Sequence, residues 1–192
     1  MPDFVAVEAA VRQLHARYTD AVWRKDVEAF GACFAEDAEW RLSGIILNGR
    51  RNIKEFMAGV FPKYRRILLT FRTPIVDIVG EGEANARTYV SEQSVLASGE
   101  AYGPLGTYYE RLVRNEEGWL FSWRLFMSDY IGPPDLSGTF HDNPHFGAPP
   151  AMPGRPDMAL ASMGIYVFDT KSLFGRREAV AATRGRGANL GM

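Results

Sequence analysis

Between residues 66 and 130 the sequence carries four extended runs in succession, 66–79, 84–97, 106–115 and 118–130, with no helical stretch between any two. Parallel neighbours need a crossover of about a dozen residues or more, usually a helix, and these connections are too short for one. The runs therefore read as an antiparallel meander, with the turn "NEEG" joining the last two. The helical signals all come earlier. Over residues 4–24, Val11, Leu14, Tyr18 and Val22 recur at spacings of three and four, and Arg12, Arg17 and Lys25 fall elsewhere. Asp26 restarts the chain as an N-cap, with Glu28 in the first turn of a second helix, 27–35. "AEWRLS" and "IILN" read as a short hairpin, and "GRRNIKEFMAGVF" as a third helix that Pro62 closes. Helices followed by a meander is the order of an α+β fold. A curled sheet cupped over those helices leaves a conical cavity.

After Tyr130 the composition changes. Seven of the 11 prolines fall in residues 133–156, where they remove backbone donors and prevent helix or central strand. The expected organisation is a domain over 1–130, an extended Pro/Gly-rich arm over 131–157, and a tail over 158–192. That tail has one strand-like run, "MGIYVF", before a basic Gly/Ala/Arg end that reads as disordered. A net charge of −1 gives no global field for nucleic acid or an anionic membrane, and the basic stretches are too short for an RNA platform. No apolar run is long enough to span a bilayer, the N-terminus lacks a signal-peptide pattern, and the one cysteine, Cys33, reads as a buried helical thiol. A cytoplasmic location is the expectation.

The run "GWLFSWRLFMSDY", 118–130, sets the functional question. By strict alternation Trp119, Phe121, Trp123, Leu125 and Met127 share one face, and Leu120, Ser122, Arg124, Phe126, Ser128 and Tyr130 the other. Either the apolar face is the core and Arg124 meets water, or Arg124 lines a pocket and the apolar face needs a cover. The second choice makes a homo-oligomer, built through the outer sheet face and the arm, the natural consequence.

Motifs for other chemistries are missing. "GEGEAN" sits in a hairpin turn and opens no helix, and there is no nucleophile elbow. His141 and His145 sit four residues apart across a proline, a spacing that is not helical, so no metal and no cofactor is expected.

The segment "YTDAVWRKDVEAFGACFAEDAEWRLSGIILNGRRNIKEF" resembles the SnoaL-like branch of the nuclear transport factor 2-like (NTF2-like) superfamily, through Tyr18, "KDVEAF", "FAEDAEW" and the Gly49 turn. "DAEW" with Gly44-Ile45, "GTY" at 106–108 and "GWLFSWR" are similar to the branch of hexachlorocyclohexane dehydrochlorinase and scytalone dehydratase. The resemblance implies a cone-shaped roll hosting cofactor-free lyases, isomerases and dehydratases, or plain binding modules. It implies that Trp40, Tyr108 and Arg124 are cavity residues, and that the arm covers the site and joins protomers into a trimer. It also places Leu69 at the position of the family's basic histidine and Trp23 at that of its aspartate, with Asp26 or Asp20 nearby as the alternative under a helix-loop shift, and so implies that the proton-abstracting dyad is lost. A second, short resemblance, "ALASMGIYVFDTKSLF", is to a segment of bacterial ADP-glucose pyrophosphorylases.

Other groups must then do the acid–base work. Glu92 shares the parity of Thr88 and Val90, which the resemblance turns inward. Desolvation there would raise its pKa into the range of a general base, whereas a solvent-facing Glu is the plain alternative. Glu110 shares the parity of Tyr108 and either faces inward or is exposed near a hairpin end. Tyr108 is either an oxyanion donor or a lining aromatic. Arg124 cannot act as a base, but it can stabilise an enolate or hold a carboxylate. Tyr18, Trp23, Trp40, Leu69, Val90 and Phe126 complete the expected walls, with Lys63, Arg65 and Arg66 as a rim. The expected function is a cofactor-independent lyase, dehydratase or isomerase acting on a small hydrophobic molecule, aromatic or alicyclic. The alternatives are a binding module, or a small subunit of a ring-hydroxylating dioxygenase.

Overall fold

A computed structural model describes residues 3–144, 146–148 and 151–153; the tail expected over 158–192 and His145 lie outside the described residues. Helix α1, Phe4–Arg24, begins at Asp3, whose side chain accepts from the Val5 amide. It ends at Lys25 in the left-handed region (φ 56°), whose amide returns to the last turn. Its buried stripe is Val7, Val11, Leu14, His15, Tyr18, Ala21 and Val22. Asp26 caps α2, Val27–Gly31, by accepting from the Ala29 amide at 2.9 Å. This helix is shorter than the expected 27–35, because Phe34 already pairs with Phe121 in the sheet. Cys33 consequently sits in the turn between α2 and the first strand; burial pushes its thiol up to about 11.

Strands β1, Phe34–Leu42, and β2, Ile45–Asn48, form the hairpin, followed by α3, Arg50–Val60, and a short 3-10 turn at Phe61–Lys63. The expected strand 66–79 is two, β3 at Tyr64–Phe71 and β4 at Ile75–Gly80. The break falls at 72–74, where Pro74 offers no amide. Strand β5, Glu83–Leu96, pairs with β4 along its first half and β3 along its second. Next come β6, Ala101–Tyr102, β7, Leu105–Asn115, and β8, Gly118–Ile131, with β9, Thr139–Phe140, added by the arm. The sheet order is β2-β1-β8-β7-β5-β3. All its pairings are antiparallel except β1 with β8, which is parallel and makes the sheet mixed. This long-range pairing closes the roll around α1 and α3.

The faces of β8 differ from strict alternation. Phe121 pairs with Leu112 and Trp123 with Arg111, so Ser122 is an extra residue, a bulge. Phe121 and Arg124 consequently turn to the same, helix-covered side, with the guanidinium 4.1 Å from the ring. Trp123, Leu125 and Met127 remain on the outer face with Tyr109. There the chain's own arm supplies a cover: Phe146 meets Tyr109 edge-to-face at 5.3 Å, and Met152 packs on the same cluster. The main core lies on the inner side, where Tyr18, Phe30, Phe34 and Phe121 pack ring against ring.

Candidate functional site

Helices α1 and α3 and the concave sheet face enclose a cavity of about 110 Å³. Tyr18 and Val22 enter it from α1, Phe56, Met57 and Val60 from α3, and Trp40 and Leu42 from β1. Leu69, Val90, Glu92, Tyr108 and Phe126 come from the sheet, so seven of the ten side chains named from sequence meet here. Gly106 permits the close fit of β7 on Phe126, since an added Cβ would lie 2.3 Å from that ring.

Glu92 is the one carboxylate in this lining. Burial drives its pKa from 4.5 up to about 7, against the Ser94 hydroxyl, which donates to Oε1 at 2.6 Å and pulls the other way. Burial, reinforced by the nearby Glu92 charge, keeps the Tyr64 phenol protonated. At the other end burial holds the Tyr18 phenol well above its ordinary value and raises that of Tyr108, with Arg124 opposing in both. Both therefore stay neutral hydrogen-bond donors. The Trp40 indole Nε1 is buried with no hydrogen-bond partner among the described residues.

Arg124 does not reach the cavity surface. It is fully buried behind the two phenols, its guanidinium 3.8 Å from the Tyr108 ring centre and 4.2 Å from that of Tyr18. Glu110, expected at the substrate, is its cross-strand partner instead. Arg124 Nε and Nη2 approach Glu110 Oε1 at 2.8 and 2.7 Å. Glu110 Oε2 lies 2.6 Å from His15 Nε2. Burial works to raise the Glu110 pKa, but His15 and Arg124 outweigh it and hold the carboxyl below its ordinary value. An ionised carboxylate only accepts, so His15 Nε2 carries the hydrogen. The sequence reading passed over His15, although its spacing of four from Val11 and three from Tyr18 puts it on the apolar stripe.

Trp23 also departs from expectation. It is 51% exposed and absent from the cavity wall, because its indole Nε1 is drawn sideways to the Leu69 carbonyl at 2.8 Å. Trp23 and Leu69 thus do touch, through an indole N–H and a backbone oxygen. Arg65 and Arg66 are exposed. Among the described residues no three His, Cys, Asp or Glu side chains gather where they could hold a metal ion, and no helix is long and apolar enough to cross a membrane.

The sequence model of the SnoaL-like domain matches residues 4–124. A protein from Novosphingobium aromaticivorans, provisionally named an aromatic ring hydroxylase, has a similar structure, with TM-score 0.63 and 27% identity over 72% of this chain and 96% of its own. The hexachlorocyclohexane dehydrochlorinase LinA-type3 from Novosphingobium barchaimii LL02 shares the fold, with TM-score 0.62 and 20% identity over 73% and 97%. A short stretch is 58% identical over 43 residues to the glucose-1-phosphate adenylyltransferase of Dechloromonas aromatica, and another alignment is 81% identical over 26 residues to that of Granulibacter bethesdensis. These cover 22% and 14% of this chain, which spans a tenth or less of the length of those curated relatives. The family match over most of the body, with the helix-capped mixed roll and its enclosed cavity, places the chain in the SnoaL-like domain family, on the NTF2-like α+β fold.

Proposed function

We propose that the cavity carries out cofactor-independent proton abstraction on a small apolar cyclic carbonyl compound, leading to dehydration or isomerisation. The observation that carries this reading is a single carboxylate, Glu92, held in an apolar wall together with the neutral phenols Tyr18 and Tyr108. Glu92 removes a proton from the carbon beside the carbonyl, and the C–H electron pair moves to form an enolate. Tyr108 donates to the developing oxyanion, Tyr18 backs it through the hydrogen bond between the two hydroxyls, and Trp40 Nε1 is a further donor awaiting an acceptor. In dehydration the enolate expels hydroxide from the next carbon, and Glu92 returns its proton to it as water. In isomerisation the same proton is delivered to a more distant carbon. One carboxyl thus serves as base and then acid, so the reaction balances without another reactant.

Arg124 contributes from behind. Its charge, kept in place by Glu110, makes negative charge on the oxygen bound by the phenols more favourable. A base near pKa 7 suits operation at neutral pH, and such general-base catalysis contributes roughly 10²–10⁴-fold. The dehydrochlorinase of this fold is named for an elimination, which supports the class. Incubation with a panel of cyclic β-hydroxyketones, followed for loss of water, tests the reading. Turnover by the native chain and none by Glu92→Gln is expected; saturable binding with no turnover would make the protein a binding module.

A further inference from the structure

We propose that a second site, the cleft between α1 and the β3–β4 connection, binds a small planar carboxylate such as an arenecarboxylate. The cleft has a volume of about 390 Å³, and none of its lining residues carries a carboxylate. Its chemistry is that of a donor-rich pocket with an aromatic wall: the guanidiniums of Arg12 and Arg72, the hydroxyls of Thr70 and Thr73, and the Trp23 indole, with His15 at its back. Arg12 is shared with Glu8 at 2.9 Å, whereas Arg72 forms no ion pair among the described residues. An exposed guanidinium beside an exposed indole matches a ligand with a flat apolar body and an anionic end, which stacking and a charge-assisted hydrogen bond would hold.

The cleft is built in advance of a ligand. The Trp23 indole is fixed by the Leu69 carbonyl at 2.8 Å. Arg72 is anchored through its backbone on both sides, its amide donating to the Tyr89 carbonyl and its carbonyl accepting from the Thr88 hydroxyl, each at 2.8 Å. His15 is only 4% exposed and fixed by Glu110 on one side; on the other, its Nδ1 makes no hydrogen bond among the described residues. The indole and the imidazole, already held in place, lose little freedom on binding, which favours affinity. The lining shares only Leu69 with the central cavity, so this site is separate from the one proposed for proton abstraction.

Calorimetric titration of the full chain with benzoate, and with benzamide as its uncharged counterpart, tests the proposal. The indole N–H resonance of Trp23, assigned by its loss in Trp23→Phe, reports where binding occurs. We expect one saturable benzoate site that shifts this resonance, binds benzamide more weakly, and loses about tenfold or more in affinity in Arg72→Gln. Glu92→Gln, in the other cavity, leaves benzoate binding unchanged. Absence of saturable binding overturns the proposal, as does equal affinity for benzamide, or a loss caused by Glu92→Gln and not by Arg72→Gln.

Discussion

Glu110 and Arg124 stand opposite one another on β7 and β8, both without solvent exposure, with Oε1 and Nη2 2.7 Å apart. Taking two charges out of water costs several kcal/mol per ion, and geometry this close, with His15 on the second oxygen, is what offsets it. The pair leaves a cation fixed behind the phenols of the cavity, which links the core of the protein to its proposed chemistry.

Removing one member strands the other. Glu110→Gln or Arg124→Met should each destabilise the fold by about 3–5 kcal/mol, and the double change Glu110→Gln/Arg124→Met by less than the two together. Urea unfolding midpoints measure this, and additive losses would show that the two charges do not depend on each other.

The pH dependence of stability has two opposed contributions. Glu110 has a lowered folded pKa, so its contribution is present above the ordinary carboxylate value of about 4.3 and is lost as pH falls through the folded value. Glu92 has a raised one, so the folded state loses stability as pH climbs from that ordinary range through about 7. Glu92→Gln should therefore stabilise the protein at pH 8, by on the order of 1–3 kcal/mol, and change little at pH 4. Thermal unfolding at the two pH values reads out the difference.

Tyr108→Phe keeps the ring against Arg124 and removes only the donor. Turnover should fall roughly 10²–10³-fold, with a much smaller change in KM, if the hydroxyl acts on charge that develops in the transition state. A rise in KM at constant kcat would limit Tyr108 to binding.

Trp23→Phe deletes the hydrogen bond to Leu69 without touching the central cavity. It should cost about 0.5–1.5 kcal/mol of stability and leave kcat within about twofold. Unfolding curves and steady-state rates on the same preparation separate the two effects.

Much of this architecture could be read from local pattern, because local pattern has local causes. The stripe of α1, the Asp26 cap and the β7–β8 turn follow from residues within a few positions of one another. The β1–β8 parallel pairing depends on residues some eighty positions apart, and no spacing announces it. One inserted residue, Ser122, brought Phe121 onto the side of Arg124, and a bulge has no signature in alternation alone. The parity that Glu92 shares with Thr88 and Val90, and Glu110 with Tyr108, is local and could be read, whereas the inward turn of these faces was what the family resemblance implied. Whether Glu110 met substrate or a cross-strand arginine depended on side-chain packing. His15 was overlooked because a single histidine on an apolar stripe reads as packing until its carboxylate partner, 95 positions away, is located.

The most direct test of Glu92 as the base needs no knowledge of the natural substrate. Proton abstraction beside a carbonyl incorporates solvent deuterium, which proton NMR follows in a panel of small cyclic ketones. The account predicts catalysed incorporation into at least one of them, rising with pH to a plateau above about 7 and abolished in Glu92→Gln. Incorporation that persists in Glu92→Gln with the same pH profile, or none from the native protein on any ketone that binds, would contradict it.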